Sequence, residues 1–328
     1  MRHAKSVHEA SNAEVAAAMD VKEEVARDLA ERYGVPWTTD LDELLSMDGI
    51  DAVYIATPHH LHAPIAIKAA EAGKHIMVEK PIATTLEDAR KMIVAAESNG
   101  VLLSVCFISR YRADAAKAKE LVEKGAIGEV IGLTIYVMGD KPETYWHGGY
   151  TGRVRTDWRT KKAESGGGIL IMNAVHNIDL LRFITGLKPV RVYAEYDTFA
   201  TPVEVEDWIS VVVRYENGAI GSIDASSCAR GRGISGDRIY GKEGQIVLGN
   251  PLRVFTRLEV EGLKPGEWSE IKLEQVKDPR TLYVEGFAEA VLSGAEKPPV
   301  TGEDGLEALK LILAAYKSGE TKQPVEIN

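Results

Sequence analysis

The stretch His75-Ile76-Met77-Val78-Glu79-Lys80-Pro81 runs apolar residues into a charged pair and stops at a proline. A short apolar run before such punctuation reads as a buried strand ending at a sheet edge. A lysine there sits at the rim of a parallel sheet, where open α/β folds bind ligands. Burial disfavours its ammonium form, which makes such a lysine a candidate for acid–base chemistry. A solvated Glu-Lys pair in a turn is the plainer alternative. Further along, Gly166-Gly167-Gly168 opens a helix predicted over 169–184. On it Met172, His176 and Asp179 share one face at i, i+4 and i+7. His176 can exchange a proton near neutrality, and Asp179 could orient its ring. A satisfied core histidine is the alternative. The three glycines could cradle an anion or let two backbones pack closely.

Two more clusters could bind ligand. Tyr145-Trp146-His147-Gly148-Gly149-Tyr150-Thr151-Gly152-Arg153, followed by Asp157-Trp158-Arg159, reads as an irregular loop rich in rings and charge. Trp, His and Arg can stack on and hydrogen-bond a polyol, so this loop is a candidate substrate wall. It could equally be a domain or oligomer contact. Asp20 ends a predicted strand over 12–20. Dinucleotide folds place there the acid that bonds the adenosine ribose hydroxyls. An ordinary N-cap for the following helix is the alternative. His59, His60 and His62 cluster after a predicted strand, without a zinc-like pattern, and no metal is expected.

These residues need a frame to hold them. Predicted helices cover 2–10, 21–33, 62–72 and 85–99, and predicted strands cover 35–39, 50–58, 75–81 and 101–107. Asp40 starts a further helix with Glu43 at capping-box spacing. Strands alternating with such helices indicate a parallel doubly wound sheet. From residue 190 onward β-like segments dominate (190–196, 208–215, 219–226, 238–240, 245–248 and 258–260), with a hairpin turn at Asn217-Gly218. They indicate a largely antiparallel sheet, closed by helices over 278–293 and 302–318. The segment between Gly231 and Gly236 reads as a mobile loop. The division is an N-terminal domain over 1–122 and a C-terminal domain over 123–328. A dinucleotide fold normally opens with a strand and a G-x-G-x-x-G turn. The sequence shows neither, so the central strand of the first sheet is expected to be missing, as if the chain started late.

Composition narrows the function. The formal net charge is −10, which argues against nucleic acid or anionic membrane as partners. There are 2 cysteines and no Cys-x-x-Cys, so neither a disulfide framework nor a structural zinc site is indicated, and a reducing, cytoplasmic setting is expected. No apolar run reaches membrane-span length.

The motifs resemble those of the Gfo/Idh/MocA oxidoreductases. The matching pieces are Thr57-Pro58-His59-His60-Leu61-His62, Ala72 to Pro81 with its Glu-Lys-Pro, and Arg110-Tyr111. Gly166 to Asp179, Tyr215 to Gly218 and Gly241 to Gly244 continue the likeness, which spans the chain apart from its start. The resemblance implies a Rossmann domain for NAD(P) and a C-terminal α/β domain with a large open, mostly antiparallel sheet. That sheet would join a homodimer or homotetramer. It implies hydride transfer between nicotinamide and a secondary alcohol or carbonyl of a sugar, cyclitol or related polyol. Lys80, His176 and Asp179 would be catalytic. Asp20, Thr57, Pro58, His59, His62, Glu79, Lys80 and Arg110 would face the cofactor. Lys80, Trp158, Arg159, Met172, Asn173 and His176 would face the substrate. Asp20 favours NAD over NADP, because a carboxylate repels a 2′-phosphate. Many family members carry Asp where this chain has Met172. The alternatives are a non-catalytic, ligand-sensing member of the same fold, or an inactive truncated enzyme.

Overall fold

The computed structural model of the chain describes residues 2–149, 152, 154–231 and 236–328. The N-terminal half holds α1 (Arg2–His8), β1 (Ala18–Met19), α2 (Glu23–Tyr33), β2 (Trp37–Thr38), α3 (Leu41–Ser46) and β3 (Ala52–Ile55). It continues with α4 (His62–Glu71), β4 (His75–Val78), α5 (Leu86–Ser98), β5 (Leu103–Val105) and α6 (Ala113–Glu123). Local chemistry sets the ends of these elements. Asp40 accepts hydrogen bonds from the backbone N–H groups of Asp42 and Glu43 and so starts α3. Glu43 does not complete a capping box, because its carboxylate takes the Thr38 hydroxyl. Thr85 caps α5, and Gly34 ends α2 in the left-handed region at φ 67°. The strand expected over 12–20 shrinks to β1, with Ser11 and Asn12 drawn away to Glu285.

β1 pairs with β2 in parallel, and β3, β4 and β5 form a second parallel ladder. Among the described residues no strand joins the two pieces. α1 lies against β3, with His3 Nδ1 3.0 Å from the Tyr54 hydroxyl.

The C-terminal half begins with β6 (Val130–Met138), α7 (Glu143–Gly148), α8 (Lys162–Ser165) and α9 (Val175–Thr185). Then come β7 (Pro189–Asp197), β8 (Trp208–Tyr215), β9 (Ile220–Ser226), β10 (Arg238–Gly241), β11 (Gly244–Val247), β12 (Leu252–Thr256) and β13 (Trp268–Ile271). It closes with α10 (Pro279–Leu292), α11 (Gly302–Thr321) and β14 (Val325–Glu326). Nine strands form one sheet in the order β13-β12-β11-β10-β6-β9-β8-β7-β14. Only the β6–β9 pairing is parallel. α9 and α11 cover one face of this sheet.

The two halves share a core. α6 packs on α9, α10 packs on α1, and α11 returns to α5 and β5. Small residues permit that return: a Cβ at Gly305 would fall 2.8 Å from the Val105 side chain and 2.9 Å from that of Ile82. Two expectations change here. Much of the ring-rich stretch is the short helix α7, with Tyr145 and Trp146 buried rather than lining an open loop. Tyr150, Thr151 and Arg153 lie outside the described residues, as do residues 232–235 of the segment expected to be mobile. The strand expected over 258–260 is replaced by β12, whose Leu252, Val254 and Thr256 point inward in strict alternation.

Candidate active site

Lys80 sits where β4 ends. The Glu79 N–H still bonds Ile55 O at 2.9 Å, and Pro81, with no N–H, stops the ladder. His62, fully buried at the start of α4, ties two strand ends together. Its Nδ1 lies 2.8 Å from Pro81 O and its Nε2 3.1 Å from Thr57 O. His62 therefore braces the Glu-Lys-Pro turn. The Lys80 ammonium is half-buried and donates to the Met172 carbonyl. Burial lowers its pKa; Glu79 opposes this, while Arg159 and Lys141 push it further down. The Glu79 carboxylate points the other way, 3.3 Å from His3 Nδ1.

The helix that carries His176 is not uniform. Leu170–Ala174 forms a π-turn before α9 begins. Such turns are rare and concentrate at functional sites. The turn shifts the expected i, i+4, i+7 face. Met172 is buried and presents its carbonyl to Lys80, while Asn173 and His176 remain partly exposed. His176 Nδ1 is buried with no hydrogen-bond partner among the described residues. Burial, Lys80 and Arg280 hold the His176 pKa well below the usual histidine range, so its ring is neutral.

Asp179 does not serve His176. Its carboxylate takes the Arg110 guanidinium on both oxygens, with Arg110 Nε 2.8 Å from Oδ2. Arg110 also donates to Asp304 at 3.1 Å and stacks over the Phe183 ring at 4.9 Å. Burial pushes the Asp179 carboxyl up to about 6 against the pull of Arg110. The bidentate geometry fixes the pair as guanidinium and carboxylate at neutral pH. Arg110, expected at the cofactor, bridges Asp179 of α9 and Asp304 of α11.

The glycine triplet is not an anion cradle either. Glu206 fills that role from within the chain, accepting the Gly168 N–H at 2.6 Å and the Leu170 N–H at 3.0 Å. The Tyr316 hydroxyl donates to the same carboxylate at 2.8 Å. A Cβ at Gly168 would fall 1.9 Å from Glu206 O, so close packing explains the glycine.

Trp158 and Arg159 form a wall, with Arg159 near enough to Lys80 to lower its pKa. Trp158 packs on His59 with ring centroids 4.5 Å apart, and His59 Nδ1 lies 2.8 Å from Ser165 O. Burial, then His62 and Lys80, hold the His59 pKa well below its usual value. Arg159 lies over Trp158 at 4.3 Å and over Tyr145 at 5.4 Å. The Tyr145 hydroxyl is 3.3 Å from Asn173 Oδ1, which connects the wall to the π-turn. The segment before the wall also reaches α2: Lys22 Nζ lies 3.5 Å from Arg155 O. Asp20, just after β1, is half-exposed and accepts the Lys22 N–H at 2.9 Å. Thr57 Oγ1 is buried without a hydrogen-bond partner among the described residues, and Pro58 leads into the 3₁₀ turn His59–Leu61. An orphaned hydroxyl and an acid at the ends of parallel strands fit the hydroxyl-rich edge of a dinucleotide. Lys141 and Glu206 belong to this neighbourhood but were not singled out by the sequence, whereas Tyr145 was named only as part of the ring-rich loop. The ring-rich composition was the one signal for Tyr145.

Comparison with known proteins decides the family. The profile described as "Oxidoreductase family, NAD-binding Rossmann fold" matches residues 1–107, and "GFO/IDH/MocA C-terminal domain" matches residues 115–247. The 1,5-anhydro-D-fructose reductase of Ensifer adhaerens is 31% identical over 97% of this chain and 92% of its own length. The chain belongs to the Gfo/Idh/MocA oxidoreductases. The myo-inositol 2-dehydrogenase of Thermotoga maritima is 30% identical over 99% of this chain and 94% of its own. Among solved structures, levoglucosan dehydrogenase in complex with NADH superimposes with a TM-score of 0.84 at 27% identity, covering 94% of this chain and 89% of that one. An oxidoreductase domain protein from Kribbella flavida gives 0.88 at 26% identity, covering 99% and 95%.

Proposed function

We propose that this oxidoreductase transfers a hydride between NAD(H) and a secondary alcohol or carbonyl of a sugar, cyclitol or related polyol. The observation that carries the reading is the burial of Lys80 at the end of a parallel strand, close to Arg159 and to a neutral His176. The anhydrofructose reductase, the myo-inositol dehydrogenase and the levoglucosan dehydrogenase support it, since each names a sugar or cyclitol. When bound, the nicotinamide accepts or gives the hydride. The protein's own residues have the remaining tasks. Asp20, Thr57, Pro58 and His59 would hold the cofactor, with Asp20 favouring NAD over NADP. Lys80 would hold the reacting oxygen, and neutral His176 would take the hydroxyl proton during oxidation and return it during reduction. Asn173 and Tyr145 would orient the polyol. Met172 contributes a carbonyl that positions Lys80.

We further propose a cytoplasmic homodimer or homotetramer joined through the C-terminal sheet. The sheet face away from the helices exposes apolar side chains on four adjacent strands, including Val212 at 54% and Ile220 at 51%. The test is NADH binding by fluorescence titration, then a substrate screen read at the NADH absorbance. Binding with turnover that Lys80→Ala abolishes is the expected result. NADH binding with no turnover of any polyol would favour a ligand-sensing role.

A further inference from the structure

The first turn of α10 brings a further cation to the cleft. Tyr283 anchors this helix on β5: its hydroxyl donates to Ser104 Oγ at 3.0 Å, and its ring stands edge-on to Tyr111 with centroids 6.0 Å apart. The chain leading into α10 is tied to the same place. Gln275 Nε2 lies 3.2 Å from Tyr111 O, and Gln275 Oε1 accepts the Ala113 N–H at 2.8 Å. Arg280 lies three residues before Tyr283, one turn earlier on the same side of the helix. Its Nε is buried and has no hydrogen-bond partner among the described residues. Asp278 caps the helix instead, accepting the Arg280 backbone N–H at 2.8 Å. Beyond β5 the chain reaches Cys106 and Phe107, and the Phe107 ring meets the His176 ring edge-on at 6.4 Å. The Arg280 charge acts on His176, Cys106 and His3, in each case towards a lower pKa. Two more buried atoms of this neighbourhood, His176 Nδ1 and Thr281 Oγ1, also have no partner among the described residues. Buried polar groups are rarely left so, and a ligand carrying several oxygens would satisfy them.

We infer that Arg280 is a substrate-binding residue, whose Nε–H donates to a hydroxyl oxygen of the polyol next to the carbon whose alcohol meets His176. This rests on the dehydrogenase reading and deepens it. A guanidinium presents its N–H groups in a fixed fork that matches two neighbouring oxygens, so a vicinal diol is the ligand class it reads. The same positive charge disfavours a proton on His176 and keeps that ring ready to accept one from the substrate alcohol. A cofactor oxygen could also accept from the guanidinium, so the experiment must tell the two apart.

The probes are myo-inositol, levoglucosan and glucose, each with vicinal hydroxyls. Retention on the NADH-loaded protein is read by saturation-transfer NMR, and turnover with NAD⁺ by absorbance. For at least one probe Arg280→Gln should raise KM about tenfold or more, the worth of one good charged hydrogen bond, with a smaller change in kcat. Arg280→Lys should restore part of the loss. The urea midpoint of Arg280→Gln should be unchanged or raised, because Nε has no partner within the described chain. Lys80 and Arg280 are the charged groups that act on His176, so its titration, followed by ring-carbon NMR, should move up in Arg280→Gln. Retention that Arg280→Gln weakens, without turnover of any probe, would sink the dehydrogenase reading and leave this inference standing. Turnover whose KM is indifferent to Arg280→Gln would do the reverse. Lowered stability at unchanged KM would make Arg280 a brace and overturn the inference. So would weakened NADH binding at unchanged KM, an unmoved His176 titration, or no retention of any of the three polyols.

Discussion

Replacing Arg110 with methionine separates a brace from a cofactor ligand. The Arg110 side chain is 7% exposed and that of Asp179 is 0% exposed. The substitution leaves the Asp179 carboxylate buried without its bidentate partner. Breaking a buried pair in this way costs about 3–5 kcal/mol. Protonation offers a partial escape. With Arg110 present, burial already lifts the Asp179 carboxyl to about 6. Without the guanidinium it must titrate higher still. An acid whose folded pKa lies above its unfolded value carries its penalty at high pH and sheds it as pH falls. Each unit of pKa difference is worth about 1.4 kcal/mol. The deficit of Arg110→Met should therefore be largest near pH 8 and shrink towards pH 5, through the window about Asp179's pKa. Urea unfolding followed by tryptophan fluorescence at several pH values measures it, beside an NADH titration of each variant. A deficit under about 1 kcal/mol at the alkaline end, or one that grows on acidification, would refute the brace. Weakened NADH binding at unchanged stability would return Arg110 to the cofactor site.

Other outcomes follow from the same geometry. Lys80→Met should abolish turnover while leaving the unfolding midpoint unchanged or raised, since it removes a desolvated ammonium; a clear loss of stability would contradict this. Because burial lowers the Lys80 pKa, any rise of kcat/KM with pH that depends on Lys80 should lie below the free-lysine value of about 10.4. A limb at or above that value would count against Lys80. Gly168→Ala should destabilise by more than about 3 kcal/mol, because its Cβ would stand 1.9 Å from Glu206 O; a near-neutral effect would show that this contact is not tight. Val212→Glu on the exposed sheet face should lower the mass measured by light scattering, and an unchanged oligomer would place the interface elsewhere.

Much of the fold was legible because its signals are local. Gly34, Asp40 and Thr85 mark element ends through their own backbone chemistry, and β8 alternates cleanly enough to be read residue by residue. The Glu-Lys-Pro turn was legible because a strand, a charge pair and a proline coincide there. What escaped depends on partners distant in sequence. The glycine triplet needed Glu206, 38 residues from Gly168, to show that its N–H groups are already occupied. Asp179 shares a helix with His176, yet its partner Arg110 lies 69 residues away. The π-turn leaves no mark in a hydrophobic pattern, and it decides which of Met172, Asn173 and His176 face the cleft. β14 is 2 residues long and exists because it pairs with β7, a tertiary event no local pattern announces.

The central claim is that Lys80 and His176 work against a nicotinamide cofactor held at the ends of β1 and β3. Trp158 reports on that site directly, since it packs on His59 with ring centroids 4.5 Å apart. The decisive measurement is a titration of the chain with NADH, exciting tryptophan and recording the sensitised NADH emission. The account expects saturable energy transfer that Trp158→Phe largely removes without loss of binding by calorimetry. Absence of saturable transfer together with no heat of NADH binding would contradict it.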